Sequence, residues 1–206
     1  MRGILYKDFL VLKKQSLVIV GCLVIYAAIS IFGSSDSSIF SFAVVFLGIM
    51  LPITAMAYDE QANWEKYALS MPISRTEMVL SKYLLCFIIF AAAGVLNLLV
   101  SLIQKKEHIN GEDCLFAFGV LFFGVIYISV IFPLLFKFGV EKGRLMILLV
   151  VFVPVGVVLL LQMAGIPIPD SEADILLLFR IAPVVAVAAL ILSFLISIGI
   201  YQKKEF

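Results

Sequence analysis

Residues 83–103 read YLLCFIIFAAAGVLNLLVSLI, without one charged side chain. At about 1.5 Å of rise per residue, an α-helix of that length reaches roughly 30 Å, which is the depth of a bilayer's hydrocarbon core. A transmembrane barrel would instead show short alternating strands of about ten residues, and the sequence has none. Working outward, five further apolar runs fall at 16–33, 39–57, 114–136, 145–165 and 178–200. Polar breaks separate them near 33–38, 58–82, 104–113, 137–144 and 166–174. The expectation is an all-α polytopic membrane protein of about six spans, forming a single transmembrane domain over residues 1–206. Hydrophobic residues make up 64% of the chain and charged residues 14%, more apolar surface than one water-soluble core can hide.

Alternate breaks lie on opposite sides of the membrane, so the basic residues orient the chain. One side collects Arg2, Lys7, Lys13, Lys14, Lys66, Arg75, Lys82, Lys137, Lys142, Arg144, Lys203 and Lys204, and the other only Lys105, Lys106 and Arg180. By the positive-inside rule both termini, the 58–82 segment and the 137–144 loop are expected in the cytoplasm. The net charge of +1 is spread over short loops and forms no basic face, which argues against a nucleic-acid partner.

Residues 1–15 place Met1, Leu5, Phe9 and Leu12 on one helical face, with Gly3, Lys7 and Lys14 opposite. That pattern fits a helix lying on the inner leaflet in contact with membrane lipid, or an ordinary basic segment beside the first span.

The largest aqueous piece is 58–82. Glu60, Trp64, Tyr67, Ala68 and Met71 fall on one helical stripe, and Pro72 is expected to end that helix near Ser70. Ser74-Arg75-Thr76-Glu77 has the form of a capping box, which starts a new helix leading into the third span. Trp64 among charges of both signs reads either as the anchor of a docking surface or as part of an aromatic belt at headgroup level.

Catalytic chemistry is hard to build from what remains. No span carries a pair of carboxylates, there is no nucleophile elbow or zinc-protease motif, and the one histidine, His108, sits in a polar break. Gly139 to Arg144 lacks the spacing and the Lys-Ser/Thr ending of a phosphate loop, so no catalytic residue, metal site or nucleotide site is assigned to this chain. Cys22, Cys86 and Cys114 are scattered singly and read as packing residues. Within the spans, Asn97, Tyr127 and Gln162 are candidates for lining a conduit, or for hydrogen bonding to neighbouring helices; Tyr26 and Ser129 are milder cases. Pro52, Pro133, Pro154 and Pro183 are expected to kink or break their spans.

The order of spans, the N-terminal helix, and Asp59-Glu60, Trp64-Glu65-Lys66-Tyr67, Ser70-Met71-Pro72-Ile73-Ser74-Arg75 and Lys82-Tyr83 together resemble the ABC-2 type permeases. The compact form is similar to the membrane subunits of phenol-soluble-modulin exporters and lantibiotic-immunity transporters. The resemblance implies a pair of identical or similar permease subunits, each resting on a separate cytoplasmic ATPase that binds ATP and magnesium. It implies that Asp59, Glu60, Trp64, Glu65, Lys66, Tyr67 and Arg75 belong to the segment that couples to that ATPase. It also implies re-entrant outer helices, for which 166–179 is a loose match. The expected function is a permease subunit of an exporter for hydrophobic or amphipathic cargo, peptide included, in a bacterial plasma membrane. The alternative is a non-transporting immunity or regulatory subunit.

Overall fold

A computed structural model describes residues 2–32, 37–69, 74–104, 111–163 and 172–203, and these are helical apart from short turns. The helices are α1 (Arg2–Lys13), α2 (Ser16–Phe32), α3 (Ser37–Gln61), α4 (Trp64–Leu69), α5 (Arg75–Gln104), α6 (Gly111–Met163) and α7 (Glu172–Lys203). Four segments among the described residues are long and apolar enough to cross a bilayer: Phe40–Gln61, Arg75–Ile103, Phe118–Gly143 and Leu177–Lys203. Gly3–Lys13 and Leu17–Ile31, bent by 66° at their junction, add a fifth if the pair counts as one span. The chain is therefore a multi-pass helical protein with four to five spans on this count. The apolar run 145–165 falls on the later part of α6, where several side chains lie outside the description.

Two proline-bearing helices continue without interruption, α3 through Pro52 and α7 through Pro183. The break in α6 falls elsewhere, at Gly139, whose φ of 78° and ψ of 170° are not helical. Sequence reading places an eight-residue loop at 137–144; the structure makes the reversal at one glycine. A straight helix would hold residues 127 and 147 about 30 Å apart. Instead the Tyr127 hydroxyl donates to the Ile147 carbonyl at 3.3 Å, so α6 folds back on itself as two antiparallel arms.

The bundle packs α6 against α7 and α3, and α5 against α3 and α7, with α1 and α2 on the α3 and α5 side. Val79, Leu85, Ile128, Ile131 and Phe132 are buried at its centre. Tyr83 on α5 meets Phe132 and Phe194 edge-on, with ring centroids 5.0 and 5.3 Å away. Its hydroxyl lies 2.6 Å from Ser193 Oγ and 2.8 Å from Ser197 Oγ, which fixes α5 against α7.

Local chemistry sets the elbow between α3 and α5. The 58–72 stripe is not one helix. Asn63 adopts φ of 49°, a left-handed conformation that asparagine tolerates better than most residues. Its amide donates to the Glu60 carbonyl at 3.0 Å, closing α3 so that Trp64 opens α4 in a new direction. The capping box forms as its spacing requires. The Glu77 amide donates to Ser74 Oγ at 3.2 Å and the Ser74 amide to Glu77 Oε2 at 3.0 Å. Residues 70–73, the 104–110 side chains including His108, and 164–171 lie outside the described residues; from Glu172 the chain is one helix.

Candidate functional site

Four segments far apart in sequence meet at one end of the bundle: α1, the α3–α4 elbow, the start of α5 and the Gly139 break, with the end of α7 beside them. The side of α1 that packs on the bundle is only partly the stripe of Met1, Leu5, Phe9 and Leu12. Ile4, Asp8 and Leu12, spaced four apart, form the buried side, while Tyr6, Phe9 and Leu10 are exposed. Lys7, expected on the outward face, is half-buried and turns towards the elbow.

Asp8, 1% exposed, receives both 2.9 Å contacts of the Lys82 ammonium, one on each carboxylate oxygen. Lys82 also donates to Asp59 Oδ2, and Lys7 donates to Asp59 Oδ1. Lys7 lies 3.1 Å from Asp8 Oδ1 as well. Two ammonium groups and two carboxylates thus form a closed, neutral knot that ties α1, α3 and α5 together. Charges removed from water are tolerated when each is paired, whereas loss of one partner is costly. The Lys7 ammonium also stands 4.4 Å from the centre of the Trp64 ring, a cation–π distance that extends the knot to α4.

Two further contacts close this end. Glu60 accepts a hydrogen bond from the Val140 amide, immediately after the Gly139 break. Arg75 Nη1 donates to the carbonyls of Tyr201 at 3.3 Å and Gln202 at 2.7 Å, serving the C-terminal turn of α7. Tyr201 is buried, with its ring edge-on to Phe136 at 5.7 Å. Between these groups lies a cavity of about 160 Å³ whose lining includes Asp59, Glu60, Trp64, Lys82, Gly139 and Tyr201. Asp59 and Glu60 are engaged by lysines and an amide, and no cluster of three metal-ligating side chains occurs among the described residues.

Of the seven residues assigned to ATPase coupling, Asp59 and Trp64 turn inward, Glu60 and Arg75 hold other helices, and Glu65 is half-buried. Tyr67, 63% exposed, is the large aromatic on the outward side of α4, and the Lys66 side chain is outside the description. The three conduit candidates have different partners. Asn97 accepts from Ser41 Oγ at 2.9 Å, Tyr127 joins the arms of α6, and Gln162 is exposed about 22 Å along the helix from Ile147. Lys7, Asp8, Gly139 and Tyr201 were not assigned from sequence. One signal for Asp8 was present: a lone acid at i+4 from Ile4 and i−4 from Leu12 interrupts an apolar stripe.

A family model described as ABC-2 family transporter protein matches residues 3–202, taking in every helix and the whole charged end. The chain belongs to this family. ABC-2 permease membership makes it a membrane subunit of a transporter and implies association with an ATP-binding-cassette ATPase. No curated protein and no solved structure matches the chain.

Proposed function

We propose that this chain is the permease subunit of an ATP-driven exporter in a bacterial plasma membrane, carrying hydrophobic or amphipathic cargo, an amphipathic peptide included. Two subunits of about six spans each pair, identical or similar to one another, and each stands on a separate cytoplasmic ATPase that binds ATP and magnesium. Residues 58–82 form the coupling segment, with the charged end facing the cytoplasm as the Lys and Arg distribution favours. The observation that carries this reading is the family match over 3–202, which spans the elbow as well as the apolar helices.

The geometry of the charged end supports a division of labour within the segment. Tyr67 is the exposed contact for the ATPase, and Asp59 and Trp64 are the inward fastenings that pass its displacement to α1 and α5. A short helix that was loosely attached would absorb the push. One tied by a buried ion knot moves with the bundle. An apolar bundle of few fixed charges suits greasy cargo better than ions.

The test is gentle extraction from the native membrane, followed by identification of the proteins that remain bound. The reading expects a soluble ATPase in the complex and a several-fold loss of it on Tyr67→Asp. A preparation that carries no ATPase contradicts it.

A further inference from the structure

Gly139 interrupts α6 with φ of 78° and ψ of 170°, a region that side chains other than glycine scarcely enter. The second arm therefore starts afresh at Val140, and its first amides have no helical carbonyl upstream to bind. Glu60 supplies an acceptor to the Val140 amide. The approach is close: a Cβ at position 139 would stand 2.5 Å from Glu60 Oε1 and 3.2 Å from Cδ. Glu60 is the next-to-last residue of α3, just before the Asn63 turn that directs the chain into α4. Lys7 and Lys82 bind Asp59 and tie α1 and α5 to this elbow; the Glu60 bond runs to α6.

From this geometry we infer that Glu60 is a positioning residue for transport: it fastens the second arm of α6 to the α3–α4 elbow, so that displacement of α4 swings this arm about Gly139. The inference rests on the proposed function, in that α4 is the part which the ATPase pushes. Only the carboxamide or carboxylate oxygen is needed for the fastening, because the bond is a single N–H to oxygen contact. Glutamine therefore retains the function and alanine removes it.

The experiment uses the permease–ATPase complex with its native cysteines replaced and spin labels at Val130 and Phe152, which are 47% and 64% exposed on the two arms of α6. Distances between the labels are measured without nucleotide and after trapping with Mg-ATP and vanadate. The wild-type background is expected to give one narrow distribution that shifts on trapping. Glu60→Ala is expected to broaden the nucleotide-free distribution and abolish the shift, and Glu60→Gln to restore both. Wild-type distributions in Glu60→Ala overturn the inference, as does a Glu60→Gln variant that behaves like Glu60→Ala. An absent ATPase contradicts the proposed function alone; the nucleotide-free distributions still decide whether Glu60 holds the arm.

Discussion

Lys82 and Asn97 stand on the same helix, fifteen residues and about 22 Å apart, and both are almost fully buried at 8% and 2% exposure. At Lys82 two carboxylates from two other helices surround the ammonium, and a second lysine completes the knot. At Asn97 one serine supplies one hydrogen bond, and the side-chain Nδ2 has no partner among the described residues. The first arrangement fixes the relative position of three elements, because no shifted register would pair four charges. The second only joins neighbouring helices, at a value of about 0.6 kcal/mol typical of polar contacts between membrane helices. Among the described residues the buried ion pairs are thus gathered where α1, α3 and α5 are tied together, and the polar contacts elsewhere between the helices are uncharged.

The largest effect expected from breaking this contrast comes from Lys82→Ala. It leaves Asp8 and Asp59 to share Lys7, and loss of a buried partner costs about 3–5 kcal/mol. Thermal unfolding of the detergent-purified protein is expected to fall sharply. The double variant Asp8→Ala with Lys82→Ala should lose clearly less than the sum of the two single variants, which additive losses would contradict.

Gly139→Ala comes next. It forces a side chain into a glycine-only conformation and against Glu60, at about 1–3 kcal/mol. Its unfolding temperature should drop, and hydrogen exchange at the amides of 140–142 should quicken. Unchanged exchange there would mean that the arm does not depend on the break.

Asn97→Leu should alter stability by under about 1 kcal/mol, since it removes one modest bond along with a buried amide that is only partly satisfied. A loss as large as that of Lys82→Ala would erase the contrast between the two ends of α5. The smallest change is expected on the outer flank of α7, where Val184 and Leu192 are exposed side chains suited to contact lipid. Alanine at either position should shift unfolding by no more than about 0.5 kcal/mol.

What could be read in advance follows the range of the forces involved. The run at 83–103 and the capping box at Ser74 and Glu77 depend on residues within a few positions of each other, and both appear as their spacing dictates. The single-residue reversal at Gly139 was partly legible, because two apolar runs flank it, yet the glutamate that meets the Val140 amide beside it stands eighty residues earlier. Asp8 and Lys7 were hidden for a different reason. A helical wheel assumes that the apolar side meets lipid and the charged side meets water, whereas here the neighbour of α1 is itself charged. Trp64 was ambiguous for the same cause: its surroundings on the surface of a helix do not reveal a lysine arriving from α1. The four-to-five spans counted in the structure and the six apolar runs of the sequence agree on a multi-pass bundle, and differ over the later part of α6 and the N-terminal pair.

Coupling to an ATPase requires the charged end to face the compartment that holds ATP. A Tyr67→Cys variant, with Cys22, Cys86 and Cys114 replaced, puts a thiol on the exposed side of α4. A membrane-impermeant maleimide added to intact cells is expected to leave it unlabelled, and to label it once the cells are opened and the ATPase is stripped from the membranes. Labelling in intact cells would place α4 outside the cell and rule out its coupling to a cytoplasmic ATPase.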